Sequence, residues 1–277
     1  MTPMYWPDFI YHNFTDKGKD HLKLLEILHK FTRRVIEERS ADFDPINFKA
    51  TKRIAFLDML LKARSDDNSL TFDDIQEEVD TFMFEGHDTT TSGICSAIQL
   101  IGSHPEVQAK LHEEIDQVFG SSNRPLKSDD LGELKYLECV IKETMRLYPP
   151  VPFVSRSITE DQVVAGYKLP KGHSASVLTY MVHRDERYYP DPEKFDPDRF
   201  LPENSENRPY FAYIPFSAGK RNCIGQRFAM MEEKVILANL LRKYELKAMK
   251  TMDEINLVAN LVLRPTNDML IKLTKRF

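Results

Sequence analysis

The segment from residue 216 to 225, FSAGKRNCIG, surrounds one cysteine with small and basic residues. Lys220 and Arg221 place positive charge beside the sulfur of Cys223, and positive charge stabilises a thiolate. Apolar residues mixed with charged ones follow directly and predict a helix over 224–244, whose N-terminus would also favour a negative sulfur. A thiolate in this setting is suited to ligate an iron such as that of haem. The alternative is a small buried cysteine without chemistry.

A second group of polar residues lies inside the longest predicted helix. Thr71 with Asp74 is predicted to cap this helix, which runs to Ile101 before Gly102 and Pro105 end it. Its centre, residues 84–90, reads FEGHDTT. Polar side chains in a buried helix cost free energy, and a central glycine costs about 1 kcal/mol relative to alanine. Helix packing, or a threonine bonded to the preceding turn, explains any one of these residues but not easily the whole set. Small residues on the same face would leave room for a flat group.

Five positions of the cysteine segment resemble the haem-binding loop of the cytochrome P-450 monooxygenases. These positions are Phe216, Gly219, Arg221, Cys223 and Gly225. The resemblance implies haem b, iron protoporphyrin IX, as the cofactor and Cys223 as its proximal iron ligand. It also implies that Phe216 packs beside the sulfur and that Arg221 pairs with a haem propionate. The two glycines allow the backbone to come close to so bulky a group.

In the same family the long helix lies on the distal side of the haem, so the resemblance implies roles for its central residues. Gly86 would leave room for dioxygen, Thr89 would hydrogen-bond the bound oxygen, and Asp88 would bring protons in from solvent. Arg156, in the extended segment 151–156, is expected to reach a haem propionate.

The sequence around Glu85 is most similar to the fourth-family enzymes, many of which oxidise the terminal end of fatty acids. In those enzymes the glutamate at this position is often ester-linked to a haem methyl group. A carboxylate in the middle of a buried helix is costly unless it is paired or neutralised, and an ester would remove its charge. A Glu85 that stays free and bonds to water or to another segment is an equal alternative.

Glu143 and Arg146, three residues apart on one predicted helix, form a Glu-x-x-Arg pair. Such a pair is common by itself, but Arg199 in the downstream block FDPDRF offers the carboxylate a second arginine. The resemblance implies that these three residues form a structural network. His87 and His183 are interpreted as core or surface residues and receive no role.

Periodicity and helix breakers predict the remaining elements. Residues 1–14 are expected to form an irregular packing segment, and residues 65–69 a loop. Further helices are predicted over 16–39, 53–63, 105–120 and 133–148, the third of them on the surface. Two hairpins are predicted, one from 163–169 and 173–180 and one from 255–263 and 269–273. The expected fold class is mainly α with small β-sheets (α+β), and the resemblance implies the C-terminal portion of the cytochrome P-450 fold as one domain, 1–277.

The composition argues against several other classes of protein. With 277 residues, 42% of them apolar, and a net charge of −5, the chain fits a soluble globular protein without a nucleic-acid footprint. Cys95, Cys139 and Cys223 lie far apart and are expected to be free thiols in a reducing compartment. No dinucleotide-binding, P-loop or HExxH motif occurs, which argues against nicotinamide and zinc enzymes. No stretch reaches the ~18 apolar residues of a membrane span.

The resemblance implies a haem-dependent monooxygenase that inserts one oxygen atom of dioxygen into a lipophilic substrate, such as a fatty acid, a hormone-like compound or a xenobiotic. Its expected partners are an NADPH-dependent flavoprotein reductase and cytochrome b5, and its expected location is the cytosolic face of the endoplasmic reticulum membrane. Eukaryotic members of the family carry an N-terminal membrane helix and are considerably longer, so the chain is expected to be N-terminally truncated and to associate with the membrane in its full-length form. The competing hypothesis is a haem-binding remnant that does not turn over.

Basic residues cluster by sequence around the predicted ligand. They are Lys220, Arg221, Arg227 and Lys234. Although the chain is net acidic, this face is predicted to be locally basic and to dock an acidic flavoprotein. An ordinarily charged surface, with Arg221 occupied by the haem, is an equal alternative.

Overall fold

The computed structural model describes residues 7–45, 48, 54–67, 69–120, 122 and 124–277. The helices are α1 (Asp8–Phe14), α2 (Asp16–Asp42), α3 (Phe56–Asp67), α4 (Phe72–Ser103), α5 (Pro105–Phe119), α6 (Asp130–Glu133), α7 (Lys135–Leu147), α8 (Thr179–Val182), α9 (Pro202–Ser205) and α10 (Gln226–Lys243). The strands are β1 (Val154–Ser157), β2 (Gln162–Val164), β3 (Tyr167–Leu169), β4 (Ser174–Val177), β5 (Tyr244–Ala248), β6 (Leu257–Ala259), β7 (Leu263–Pro265) and β8 (Ile271–Lys275). The chain divides into two compact units, residues 1–85 and 86–277.

The first unit contains α1 to α3 and the beginning of α4. Its small buried core consists of Ile36, Leu61 and Ile75. Thr15 caps α2, because its Oγ1 accepts a hydrogen bond from the backbone N of Gly18 at 2.9 Å. The helix predicted over 16–39 is therefore confirmed, and it extends to Asp42.

The expectation of an irregular segment at the start of the chain is wrong for residues 8–14, which form α1. Pro7 stands directly before the first helical residue, a place where proline is tolerated because its missing N–H has no helical partner. Residues 1–6, which belong to the same expectation, lie outside the described residues.

Helix α3 is longer than expected at its C-terminal end. It was predicted over 53–63, and residue 53 lies outside the described residues. The polar run at 65–69 does not end it, since α3 continues to Asp67. Lys62 and Asp66 form an ion pair one turn apart, which stabilises this last turn.

Helix α4 begins at the predicted cap. The Thr71 Oγ1 accepts a hydrogen bond from the Asp74 N at 3.1 Å, and Asp74 Oδ2 accepts one from the Thr71 N at 2.7 Å. These two bonds form a reciprocal capping box. The helix then runs 32 residues to Ser103, two residues beyond the predicted end at Ile101, so Gly102 does not stop it.

In the second unit, α5, α7 and α10 share one apolar core with the C-terminal part of α4. Helix α5 faces this core with Val107, Leu111, Ile115 and Phe119, which recur at helical spacing. The expectation that α5 is a surface helix is therefore wrong for one of its faces. Helix α10 contributes Leu237 to the same core.

Within the described residues, the strands form four two-stranded antiparallel sheets. Ala165 and Gly166 both have positive φ, 49° and 85°, so they form a tight turn that joins β2 directly to β3. The hairpin predicted between 163–169 and 173–180 is therefore wrong. Strand β4 pairs with β1 instead.

The predicted terminal hairpin is also wrong in its pairing. Strand β6 pairs with β7, and β8 pairs with β5, so that Tyr244 lies opposite Lys275. Alternation of apolar residues marks strands but does not identify their partners. The fold class, mainly α with small β-sheets, is confirmed. Among the described residues, no helix has both the length and the apolar character needed to cross a membrane.

Candidate functional site

The cysteine segment closes into a compact loop in front of α10. The Cys223 N donates a hydrogen bond to the Phe216 O at 2.9 Å, and the Asn222 N donates one to the Gly219 O at 3.1 Å. Gly219 has a φ of 80°, which favours glycine at this turn. The loop therefore holds the cysteine by its backbone while its side chain is exposed.

Helix α10 begins at Gln226, two residues later than predicted. Gly225 is its N-cap and supplies no side-chain hydrogen bond, and Cys223 precedes it by two residues. An added Cβ at Gly225 would lie 3.8 Å from the Cys223 Sγ, so the sulfur lies against the glycine. Phe216, at the other end of the loop, is half-buried and packs against the apolar core.

Two arginines that are 65 residues apart in the sequence meet beside this loop. Arg156, on β1, donates a hydrogen bond from Nη2 to the Arg221 O at 3.4 Å and one from Nη1 to the Ser155 O at 2.9 Å. Both arginines are exposed, and within the described part of the chain neither forms an ion pair. A guanidinium that lies against the backbone of the loop, together with a second exposed arginine on the loop, suits an anionic ligand. The carboxylates of haem propionates fit this requirement.

The centre of α4 presents polar residues at its surface. Glu85 and Gly86 are exposed, and a Cβ added at Gly86 would meet nothing within 4 Å. Thr89 is half-buried. The open space at Gly86 fits the expectation that a bulky group or dioxygen lies there, and the roles of these residues stay predictions.

Asp88 contacts a residue that the sequence analysis did not single out. Its Oδ1 accepts a hydrogen bond from the Arg264 Nη2 in an ion pair with β7. The pair joins residues that are 176 positions apart. Asp88 thus contacts strand β7.

The predicted contact between Glu143 and Arg146 is confirmed, and it is completely buried. Arg146 donates two hydrogen bonds to the carboxylate, from Nε at 2.7 Å and from Nη2 at 2.9 Å. It donates three more to the carbonyl oxygens of His183, Pro192 and Lys194. Arg146 therefore uses all five of its N–H donors. Burial raises the pKa of Glu143, and the bonds from Arg146 oppose this effect.

Arg199 joins this network more loosely than predicted. Its Nε lies 3.6 Å from the Glu143 Oε1, while its Nη2 donates to the Asp191 O at 2.9 Å. The carboxylate instead accepts a shorter bond, 2.9 Å, from the Asp196 N. The network therefore connects α7 to the irregular segment that leads towards the cysteine loop.

Three further side chains hold the irregular segment that leads towards the cysteine loop, and none of their contacts was predicted from the sequence. The His183 Nε2 accepts a hydrogen bond from the Ile214 N at 2.8 Å, and burial lowers the pKa of His183 to about 4, so its ring is neutral at pH 7. The hydroxyl of Tyr213 donates to the Lys142 O at 2.9 Å. The hydroxyl of Tyr189 donates to the Ala212 O at 3.0 Å.

Glu233 is a buried carboxyl group between α10 and α4. Its side chain faces Gly93, where an added Cβ would lie 2.7 Å from the Glu233 Oε1. Burial, with a smaller effect of Glu232, raises the pKa of Glu233 to about 8. The sequence indicated that Glu233 is buried, because it lies four and eight residues before the buried Leu237 and Leu241 and hence on the same helix face.

A groove of about 730 Å³ lies beside the cysteine loop, between α7, α10 and residues 205–217. Its basic lining residues are Lys142, Arg208, Arg227 and Lys234. Lys234 is not a free surface charge as predicted, because it is buried and its Nζ lies 2.7 Å from the Glu138 Oε2. Burial acts to raise the pKa of Glu138, but hydrogen bonds from Lys142 and Lys234 outweigh this effect and lower the pKa. The groove is still net positive.

Comparison with known proteins gives the family. The family described as cytochrome P-450 matches residues 1–273. The chain belongs to the cytochrome P-450 family. It is 51% identical over 286 residues to cytochrome P-450 4V2 of Rattus norvegicus, covering 99% of this chain and 54% of the relative. It is 50% identical over 285 residues to the Homo sapiens protein of the same name, and this match also covers 99% of this chain and 54% of the relative.

An insect relative, cytochrome P-450 4c3 of Drosophila melanogaster, is 43% identical over 288 residues, covering 97% of this chain and 53% of the relative. The crystal structure of a cytochrome P-450, CYP102L1, matches with a TM-score of 0.84 and 25% identity, over 98% of this chain and 60% of that chain. The resemblance to fourth-family enzymes is confirmed. The chain spans about half the length of the curated relatives that it matches.

Proposed function

We propose that this chain is the haem-ligating part of a single cytochrome P-450 domain whose activity is that of a monooxygenase on a lipophilic substrate. The observation that carries the proposal is the exposed Cys223, held by backbone hydrogen bonds beside two exposed arginines without acidic partners. This donor set suits a group that combines an iron with carboxylates, as haem b does.

The residues around the loop would hold the haem as follows. Cys223 would ligate the iron through its sulfur, and Arg156 and Arg221 would bind the propionates by charge-assisted hydrogen bonds. Phe216, packed against the core, would shield the sulfur from water on one side. When bound, the haem supplies the activation of dioxygen, with the thiolate donating electron density to the iron.

The chain itself would contribute an open site on α4 and the groups that move protons to it. Gly86 keeps a site on α4 free of side-chain atoms. Thr89 and Asp88 carry the hydroxyl and the carboxyl group that would hold and move protons from solvent towards the oxygen.

The iron ligand is tested by replacing Cys223 with serine in the haem-containing protein. We expect the thiolate-type band in the reduced carbon-monoxide spectrum to disappear. Cys95→Ser is the matched control, because Cys95 is also an exposed cysteine but lies on α4 away from the basic loop. A thiolate-type band that persists in Cys223→Ser would refute the assignment. Haem uptake by the unmodified chain without product formation would favour the haem-binding remnant.

Electrons would come from an NADPH-dependent flavoprotein reductase, with cytochrome b5 as a further donor. The groove beside the cysteine loop supports this proposal, since its net positive charge complements an acidic partner and it lies next to the iron ligand. Arg227 in the lining is exposed, and Lys220 adds a further exposed positive charge on the cysteine loop. Reduction by the reductase should slow as ionic strength rises, whereas a rate that is indifferent to salt would remove the electrostatic docking.

The substrate is proposed to be a lipophilic compound such as a fatty acid, as the resemblance to fourth-family enzymes implies, and it would be handled at the cytosolic face of the endoplasmic reticulum membrane. Glu85 is proposed to form an ester with a haem methyl group in the active enzyme. The carboxylate would bond to the methyl carbon, one C–H bond would break with loss of its proton, and the two electrons removed would pass to the dioxygen that turnover consumes. Acid denaturation of protein that has turned over should then leave haem bound to the polypeptide. Glu85→Ala should release all haem into organic solvent, and full release from the parent protein would rule out the ester.

A further inference from the structure

His183 connects the buried Arg146 to the segment that leads into the cysteine loop. It is fully buried and lies directly after α8. Its backbone is fixed on both sides, since its N donates a hydrogen bond to the Thr179 O at 3.0 Å and its O accepts one from the Arg146 Nη1 at 3.0 Å. Its ring stacks on the ring of Tyr213, with 5.2 Å between the two centroids. The imidazole is therefore held in one position and one direction.

The two nitrogens of this ring have different surroundings. Nε2 accepts the hydrogen bond from the Ile214 N at 2.8 Å, so the hydrogen of the neutral ring is on Nδ1. Within the described residues, Nδ1 is buried and has no hydrogen-bond partner. An unpaired buried N–H costs free energy, which an apolar side chain at this position would avoid. What an apolar side chain would not supply is the acceptor for the Ile214 N.

The bond to His183 holds the first residue of a tight turn. The Ser217 N donates a hydrogen bond to the Ile214 O at 3.1 Å, and Pro215 takes the second position, where its fixed φ favours such a turn. Ser217 has a φ of 62°, a left-handed conformation that residues other than glycine rarely adopt. Such a conformation persists only where the surrounding structure holds it. The bond between the Ile214 N and His183 fixes the turn at its other end.

The same turn carries the acceptor that orients the cysteine. Phe216 is its third residue, and the Phe216 O accepts the hydrogen bond from the Cys223 N at 2.9 Å. If Ser217 relaxed to an ordinary backbone conformation, the Phe216 O would move away from the Cys223 N. The direction of the cysteine therefore depends on the shape of a turn that His183 holds.

We propose that His183 is a positioning residue for the iron ligand: by accepting a hydrogen bond from the Ile214 N, it holds the strained turn in the shape that presents the Cys223 sulfur to the haem iron. This inference rests on the proposed role of Cys223 as the iron ligand. The turn can relax in the haem-free chain but not in the haem-bound chain, so loss of the acceptor weakens the bound state.

The test compares haem-loaded variants by the rate of haem release and by the share of the reduced carbon-monoxide complex that shows the thiolate-type band. His183→Leu should speed haem release about 10-fold and lower the thiolate-type share, because the Ile214 N loses its acceptor. His183→Gln should restore both, since its amide oxygen reaches the place of Nε2, whereas the shorter His183→Asn should not. Haem release and a band like those of the parent in His183→Leu would overturn the inference.

Tyr189→Phe is the matched control. Tyr189 is also fully buried, and its hydroxyl donates to the Ala212 O in the same segment but outside the turn. This variant should unfold at lower urea concentration, yet keep the haem release and the thiolate-type band of the parent. Equal losses in Tyr189→Phe and His183→Leu would reveal a general effect on the segment and would overturn the inference.

A second change within the turn tests its strain. Glycine adopts a positive φ without steric strain, so adding Ser217→Gly to His183→Leu should return both readouts towards those of the parent. If this addition has no effect, His183 does not act through the turn and the inference fails. Should His183→Leu not fold, His183→Gln and His183→Asn are compared instead, and equal behaviour of these two variants would overturn the inference.

The outcomes separate this inference from the proposed function. If Cys223→Ser loses the thiolate-type band while His183→Leu keeps the band and the haem release of the parent, the inference fails and the ligand assignment stands. If Cys223→Ser keeps the band, the ligand assignment fails, and the inference fails with it.

Discussion

The framework behind the cysteine loop and the centre of α4 satisfy their polar groups in different ways. In the framework, Arg146 is fully buried and donates to five acceptors, and His183 and Tyr213 bond to backbone atoms. In the centre of α4, Glu85 and Gly86 are exposed, and Asp88 is tied by an ion pair whose arginine is exposed.

The difference follows from the cost of burying polar groups. A buried donor or acceptor without a partner costs free energy, so most polar groups of the framework are paired, although the His183 Nδ1 and the Arg199 Nε are buried without a hydrogen bond. Exposed polar groups carry no such penalty, because water can satisfy them. The comparison indicates that the residues behind the cysteine loop fix the position of its backbone, while the centre of α4 keeps open space beside Gly86.

The largest expected effect tests the framework. Arg146→Ala should lower the free energy of unfolding by about 3–5 kcal/mol, because the Glu143 carboxylate is left buried and unpaired. Urea denaturation measures this loss. Arg187→Ala is the matched control, since Arg187 pairs with Asp185 at an exposed site and should cost about 0–1 kcal/mol. Equal losses would contradict the difference between the two regions.

Replacing either of two glycines of α4 with alanine should change the stability of the chain, in opposite directions at the two positions. Gly93→Ala should destabilise by about 1–3 kcal/mol, because the new Cβ would lie 2.7 Å from the Glu233 Oε1. Gly86→Ala meets no atom within 4 Å and should stabilise the chain by about 0.5–1 kcal/mol through helix propensity. Thermal unfolding distinguishes them. A second change, Glu233→Ala, should remove the clash and reduce the destabilisation caused by Gly93→Ala. A Gly86→Ala variant that is less stable than the parent would refute the open space at Gly86.

Glu233 should make stability depend on pH. Because its pKa is raised from 4.5 to about 8 in the folded chain, the unfolded chain loses its proton first, and stability falls as pH rises from 4.5 through 8. Glu233→Gln removes this fall and should be more stable than the parent by about 2 kcal/mol at pH 8, with little difference at pH 4.5. Urea unfolding across pH 4.5–9 is the measurement. Parallel curves for parent and variant would show that the carboxyl is not buried in this way.

The smallest expected effect concerns the attachment of β7 to α4. Ser92→Ala should cost about 1 kcal/mol, because the Leu263 O loses the hydrogen bond from the Ser92 Oγ. Thr91→Ala is the control, since the Thr91 Oγ1 bonds only to the His87 O within its own helix. Faster amide exchange of the Leu263 N in Ser92→Ala alone would locate the loss at β7; the same exchange rate in both variants would argue against this attachment.

The sequence by itself determined the features that depend on neighbours along the chain. The capping box of Thr71 and Asp74, the run of α4 and the Glu143 and Arg146 pair all follow from spacings of a few residues. Caps and helix faces are local properties, so residue type and spacing predict them.

Only the tertiary structure decided which distant groups meet. Arg156 lies beside Arg221, Arg264 pairs with Asp88, and β4 pairs with β1 although periodicity predicted another hairpin. Strands of three to five residues carry too little pattern to specify a partner, and a charged side chain carries no mark of the opposite charge that it meets. These contacts depend on how the helices pack around the shared core, which brings residues far apart in the chain to the same place.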